Sequence, residues 1–423
     1  MRASRMTAMN PTAPVIALNG GKPAKTTPYG TGSRFNSEEE EAAVAAIRSQ
    51  KLWYKQGGTR VLATEKTICE LWNTKHAILC SSGCAAVHTA LVMCGVGPGD
   101  EVIVNPVSDW GSLMGILALG ATPVFCDIDA DTYSLDPQCV ERAITARTRA
   151  IELVHLSGYP AHVQQIVAMA HARGIKVIED CAQSPLASVG GRVLGTFADV
   201  GAFSTNDSKH VSCGEGGFVI TSDDIMASIA RLFIDKAYSR DAQRGRTDVA
   251  FLGFNYRLSE LSAAVLDVQL RKLPKQLKQR RVYAERLLAG LAGVAGYTAL
   301  QTSPETQGGY WTVLGHLDLS QFRVSRDDIV KALHAEGIPV WAALAPARTL
   351  YGISVVQSGI FSPYQRGGRA SSLPDKAWRP EDFPVAERIV DSVLPLHCSP
   401  FFSARDADET ASGVRKVLQH YHA

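Results

Sequence analysis

A chain of 423 residues, 46% hydrophobic and 20% charged, has the makeup of an ordinary globular protein and enough length for two buried cores. A formal net charge of +2 gives no argument for a nucleic-acid partner, and none is expected. No window approaches the roughly eighteen uninterrupted apolar residues of a membrane span, and the first fourteen residues lack the apolar core of a signal peptide, so a cytoplasmic protein is expected.

From residue 76 onward, short apolar runs alternate with amphipathic stretches. "HAILCSS" (76–82) precedes the helix-like "AAVHTALVMCGVG", and "EVIVNPVS" (101–108) precedes "WGSLMGILALG". "TPVFCDID" follows, then "AIELVHLSG" (150–158), "VQQIVAMAHARG" and "KVIEDCA" (176–182). Such alternation predicts an α/β fold whose mostly parallel sheet is covered on both faces, since the strands are too continuously apolar for a one-sided sheet. Gly-Pro-Gly-Asp at 97–100 supplies helix-to-strand punctuation. Residues 258–291 read as a long helix broken near Pro274 and leading away from the sheet. The predicted division is an N-terminal arm (1–30), a large domain (31–275) and a smaller α+β C-terminal domain (276–423) with a long loop at about 351–390.

The nine cysteines, Cys69, Cys80, Cys84, Cys94, Cys126, Cys139, Cys181, Cys213 and Cys398, are scattered and include no C-x-x-C pair. Neither a metal site nor a disulfide framework is expected from them.

Ligands of parallel α/β sheets bind outside the carboxyl ends of the strands, and three polar clusters fall there. In "SSGCAAVHTAL", Ser82, Gly83 and Cys84 open a helix, which is either a capped turn or an anion cradle. In "VIEDCAQS", Asp180 ends a buried strand, where an ionised carboxylate needs a cation or several donors. In "STNDSKHVSCGEGG" (204–217), Lys209 follows a strand and precedes a glycine turn. A lysine near a buried aspartate and a phosphate site suits a Schiff base with pyridoxal phosphate, the carboxylate holding the pyridinium nitrogen.

Read together, these clusters resemble the DegT/DnrJ/StrS family of sugar aminotransferases, which have the aspartate aminotransferase-like type I fold. The likeness runs in order through "LNGGKPA", "SSGCAAVHTAL", "GVGPGDEVIVNP", "GATPVFCDIDADTYSLD", "VHLSGYPA", "VIEDCAQS", "GTFADVGAFS", "GEGGFVITSD", "GFNYRLSELSAAVLDVQL" and "SRDDIVKALHAEGIPV". It implies that Lys209 carries pyridoxal phosphate and later shuttles a proton, that Asp180 partners the ring nitrogen, and that Gln183 lies near the ring oxygen. Trp110 corresponds to an aromatic residue stacking on the ring, and His155 to a position near the cofactor or a core histidine. Ser82, Gly83, Cys84 and Ser204 match the phosphate cradle. Asn255 matches an asparagine that reaches the phosphate of a partner subunit, which implies a homodimer with shared active sites.

The resemblance further implies transfer of an amino group from L-glutamate or L-glutamine, through pyridoxamine phosphate, to a ketone of a sugar or cyclitol. Trp53, Tyr54, Arg257 and His397 are candidates for the substrate pocket. Two positions depart from the family pattern: Cys84 stands where Thr or Ser is usual, and Thr205 replaces a common aromatic. The segment "VWAALAPARTLYG" (340–352) is closer to the cyclitol aminotransferases and aminohydroxybenzoate synthases than to the nucleotide-sugar branch. An aminohydroxybenzoate synthase is therefore an alternative. A pyridoxamine-dependent dehydratase, in which histidine replaces the lysine, is disfavoured because His210 falls one position late. A regulatory homologue without turnover is disfavoured by the full set Lys209, Asp180 and Gln183.

Overall fold

In the computed structural model, residues 14–241, 246–300, 302–341, 343–344, 348–361, 370, 373 and 378–423 are described. Seven strands form the central sheet: β1 (His76–Cys80), β2 (Glu101–Val104), β3 (Thr122–Phe125), β4 (Thr148–Val154), β5 (Lys176–Asp180), β6 (Val200–Ser204) and β7 (Gly217–Thr221). Their spatial order is β1-β7-β6-β5-β4-β2-β3. β7 runs antiparallel to both neighbours, and every other pairing is parallel. Because six strands share one direction, Cys80, Val104, Phe125, Val154, Asp180 and Ser204 all end on the same edge.

Side-chain alternation splits each strand between two cores. Ile178, Val200 and Ala202 belong to one, whereas Val177 and Phe203 belong to the other. Helices α1 (Ser37–Arg48) and α2 (Arg60–Trp72) precede the sheet. The first core holds α3 (Gly83–Met93) and α4 (Gly111–Ala118) and continues into the C-terminal region through Leu314, Ile329 and Val414. The second holds Trp72 and Ile68 of a helix at Arg60–Trp72 together with Leu266, Leu270, Leu273 and Leu277. These two helical layers and the sheet between them make the three-layer arrangement.

The long helix does not break at Pro274. It runs without interruption over Glu260–Leu291. Proline inside a helix costs about 3 kcal/mol, but each of the four leucines just named contributes roughly 1.5–3 kcal/mol by burial. Leu270, Leu273 and Leu277 are fully buried around an exposed Pro274, so packing on both sides holds the axis. Nor is the region 351–390 a loop throughout. Helices form at Ser354–Ser358 and Pro384–Ser392, the second started by a proline in its first turn. Residues 362–369, 371–372 and 374–377 of that region lie outside the described residues. Short antiparallel pairs, Tyr297–Ala299 with Gly315–Leu317 and Thr312–Val313 with Leu396–His397, complete the C-terminal part with helices Arg326–Ala335 and Ala404–Tyr421. The segment preceding the sheet is tied to the helix Ala404–Tyr421: Lys25 Nζ meets Asp406 at 2.7 Å and Glu409 at 2.8 Å. No helix among the described residues is long and apolar enough to cross a membrane.

One of the buried acids of the sheet stands without partners. Glu152, in the middle of β4, is fully buried, and neither carboxylate oxygen has a hydrogen-bond partner among the described residues. Burial, with the charge of Asp180 adding to it, raises its pKa well above the ordinary value. The folded protein therefore holds a proton there that the unfolded chain has lost at neutral pH, and stability falls as pH rises above the unfolded pKa. Glu152→Met is expected to raise the thermal midpoint, with a larger gain at pH 8 than at pH 5. Differential scanning calorimetry at the two pH values checks this, and an equal or negative change at pH 8 contradicts it.

Candidate active site

At the carboxyl edge of the sheet lies a cavity of about 370 Å³, walled by the segments that leave β1, β2, β5 and β6. Successive acids at the end of β5 point to opposite faces. Glu179 turns into the second core, where its carboxylate accepts from the backbone N–H groups of Gly195, Phe197 and Ala198 and pairs with His155 at 3.0 Å. Asp180 turns to the cavity. Ser112 Oγ donates to it at 2.9 Å and the Ala182 N–H at 3.0 Å, and Ser108 and Ser112 are joined at 2.8 Å. No ion pair reaches this buried carboxylate among the described residues, and burial pushes its pKa up against those donors and the Lys209 charge.

The chain leaves β6 at Ser204 and re-enters the sheet at β7, so the intervening loop hangs over the strand ends. Its backbone is anchored by Arg34, which donates to the carbonyl oxygens of Asp207 and Lys209. Lys209 lines the cavity. Burial lowers the pKa of its amine, and the charges of Asp180 and Asp109 oppose that shift. His210 faces the other way. Its Nε2 donates to the Gly309 carbonyl at 2.9 Å, Nδ1 is buried without a partner, and burial beside Arg280 drives its pKa well down.

Ser82 caps α3 by accepting from the Ala85 N–H at 3.1 Å. That leaves the N–H groups of Gly83 and Cys84 without backbone partners among the described residues at the helix N-terminus, where partial positive charge collects. Ser204 closes the cradle so tightly that a Cβ on Gly83 would stand 2.6 Å from the Ser204 Cβ. The Cys84 thiol stays neutral, its pKa raised by burial and then by Asp109 and Asp180. Gln183 Oε1 accepts from the Ser157 N–H at 2.6 Å, and since Gln183 lines the cavity its amide NH₂ is available there as a donor.

Of the residues expected from the sequence, Ser82, Gly83, Cys84, Asp180, Gln183, Ser204 and Lys209 converge on this cavity. Trp110 is not among its lining residues; its ring packs, partly buried, against the first core. Asp109 holds the wall instead, because its Oδ1 accepts from the Gly111 N–H at 2.8 Å in a local turn that brings the carboxylate to the mouth of α4. His155 also stands outside the cavity. It is fully buried, with Nδ1 accepting from the Ala161 N–H at 3.1 Å, so both ring nitrogens are spent on structure. Asn255 is exposed and is not among the lining residues; it bridges to Asp235, and the carbonyl of the next residue, Tyr256, accepts from the Ser81 N–H at 2.7 Å. Trp53 and Arg257 sit together, the guanidinium 5.5 Å from the ring centroid and ion-paired with Asp235, and Tyr54 is half-buried nearby. His397 adjoins Trp341 in the C-terminal part.

The sequence reading missed Asp109, Ser108 and Ser112. The four-residue spacing of the two serines at a strand-to-helix turn is the signal that could have found them.

A family profile described as the DegT/DnrJ/EryC1/StrS aminotransferase family matches residues 35–415. The chain is 34% identical to an L-glutamine:2-deoxy-scyllo-inosose aminotransferase of Streptomyces lividus, over 96% of this chain and 98% of that protein. It is 34% identical to a UDP-N-acetyl-3-dehydro-alpha-D-glucosamine 3-aminotransferase of Acidithiobacillus ferrooxidans, over 85% and 89% of the two chains. Among solved structures, DesV of S. venezuelae, crystallised with a ketimine intermediate, superposes with a TM-score of 0.79 at 30% identity, covering 93% of this chain and 99% of that one.

Asp109 is expected to hold up the Lys209 pKa. In cofactor-free protein, Asp109→Asn should move the pH of half-maximal Lys209 acetylation by limiting acetic anhydride downward, measured on the Lys209 peptide by mass spectrometry. An unmoved profile contradicts the electrostatic contact.

Proposed function

The chain belongs to the DegT/DnrJ/EryC1/StrS aminotransferase family, and from that premise we propose that it carries an amino group from L-glutamine or L-glutamate to the ketone of a cyclitol or sugar ring, with pyridoxal phosphate held in the cavity above the sheet. The observation that carries the proposal is the meeting of Lys209 and Asp180 in one cavity opposite the free N–H groups of α3. A buried carboxylate without a cation, an amine of lowered pKa and an anion cradle are the donor set this cofactor requires, so the residues present fit it. When bound, pyridoxal phosphate supplies an electron-withdrawing ring that makes the carbon bearing the amino group acidic.

The chain's own residues do the rest. Gly83 N–H, Cys84 N–H and Ser204 Oγ would bind the phosphate, and the thiol of Cys84 adds only a weak donor. Asp180 would keep a proton on the ring nitrogen, and Ser112 and the Ala182 N–H hold its carboxylate in position to do so. The Gln183 NH₂ would donate to the ring oxygen. Lys209 Nζ would anchor the cofactor and, once released, take a proton from the donor's α-carbon and return one at the acceptor carbon. A lowered amine pKa suits this task, because Nζ must be neutral to accept a proton. Val87 and Val154 line the same cavity, and their apolar side chains would limit the water held there.

The two curated relatives, one acting on a cyclitol ketone and one on a UDP-linked sugar ketone, support a ring ketone as acceptor. The exposure of Asn255, which is not among the residues lining its own cavity, supports a homodimer in which it reaches the phosphate of the partner's site. Nine free cysteines agree with a cytoplasmic enzyme.

Borohydride reduction of the holoenzyme should leave cofactor mass on the Lys209 peptide, and Lys209→Ala should lose it. An undiminished adduct in that variant would falsify the lysine's role. Subunit exchange tests the dimer. Lys209→Ala and Asn255→Ala should each be nearly inactive alone, and an equal mixture should recover about a quarter of wild-type activity, since half of randomly mixed dimers carry one intact site. No recovery means that Asn255 acts within its own chain or not at all.

A further inference from the structure

Beside the cavity, the C-terminal part of the chain carries three rings set at right angles. Trp311 lies with its ring centroid 4.3 Å from Lys209 Nζ, and its Nε1 donates to the Ser208 carbonyl at 3.0 Å, which fixes the indole plane against two cavity residues. Trp341 meets Trp311 edge to face, centroids 4.5 Å apart at 81°, and His397 meets Trp341 at 5.3 Å and 89°. The backbone holds this corner rigid. Thr312 pairs with His397, Val340 bridges Leu396, and the Trp341 N–H donates to Pro395 at 3.0 Å. All three rings are half-buried and so keep open surface. Neither the Trp341 indole N–H nor the His397 ring nitrogens bond to any described residue, and burial, with the charge of His334, favours a neutral imidazole that can both donate and accept.

Flat apolar faces edged by a few unspent polar atoms are the chemistry of a site for a polyhydroxylated six-membered ring. When every hydroxyl is equatorial, both faces of such a ring present only C–H, and the hydroxyls point outward to the rim. An axial hydroxyl would be pressed onto an indole and lose its water without gaining a partner, at a cost of roughly tenfold or more in affinity. We propose that Trp311, Trp341 and His397 form the acceptor subsite, that it selects an all-equatorial ring, and that it rejects rings with an axial hydroxyl on the contacting face. This rests on the reading of the cavity as an aminotransferase site for a ring ketone. A carbocycle of the scyllo series presents this chemistry on both faces, and an α-linked gluco-configured pyranose presents it on the face opposite its axial anomeric oxygen; the two differ in whether a nucleotide is attached.

The test uses holoenzyme and unreactive rings. scyllo-Inositol has no axial hydroxyl, chiro-inositol has one on each face, and UDP-N-acetylglucosamine supplies the pyranose arm. Tryptophan fluorescence and titration calorimetry should show scyllo-inositol or the UDP-sugar binding at least about tenfold more tightly than chiro-inositol. Whichever of the two binds identifies the source of the ring. Trp311→Ala and Trp341→Ala should each collapse the preference, and Trp311→Phe should keep part of it. Equal binding of the two inositols with the UDP-sugar no tighter, or a preference unchanged in both alanine variants, overturns the subsite. Bleaching of the visible cofactor band by L-glutamine or L-glutamate in wild type is scored separately. Its failure removes the aminotransferase reading, whereas bleaching without ring discrimination removes only the subsite.

Discussion

A buried carboxylate with hydrogen bonds but no ion pair among the described residues is the constraint on which the site depends. Asp180 sits at the last position of a central parallel strand, where sheet and helices exclude water. Two donors, Ser112 Oγ and the Ala182 N–H, stabilise its charged form only in part, and its pKa stays raised. A cationic ring in the cavity would supply what is missing. The protein thus keeps an unsatisfied charge site ready, and the cost is met by the two cores that clamp the sheet.

Strand alternation explains why neighbouring acids have such different parts. Glu179 is saturated by three backbone N–H groups and His155, and ties the strand to the turn at 195–198. Asp180, one residue on, faces the opposite side and the cavity. In the loop after β6, hydrogen bonding separates Lys209 from His210: one lines the cavity with Asp180, and the other is locked to Gly309 with its pKa driven down. A one-residue shift in this loop would exchange an amine for an imidazole at the cavity wall. Arg34, Asn206 and the Gly309 carbonyl prevent the slip by holding backbone and side chain on both sides of Lys209.

Much of this was legible in the residues. Continuous apolar runs such as "AIELVHL" and "KVIED" announced buried parallel strands, and small polar residues at their ends marked the cavity, because those types are costly elsewhere in a core. The break expected at Pro274 was wrong, since proline's local cost is visible in sequence and the tertiary burial of Leu270, Leu273 and Leu277 is not. Trp110 and His155 fell outside the cavity for a related reason. Which side of a turn a side chain takes depends on hydrogen bonds such as Asp109 to Gly111, or Ala161 to His155, formed only in the fold. Trp311 and Trp341 are thirty residues apart and far in sequence from Lys209, so their meeting had no local signal.

The central claim is that this cavity passes an amino group from an amino acid to a ring ketone. The most direct measurement follows the nitrogen itself, using holoenzyme, L-glutamine labelled with ¹⁵N at the α-amino group, and a scyllo-inosose or UDP-linked keto-sugar acceptor. Mass spectrometry and NMR should find the label bonded to the ring carbon that bore the ketone, in product formed only when Lys209 is present. Label retained in glutamine or released as free ammonia, with the ketone unchanged across both acceptors, would contradict the account.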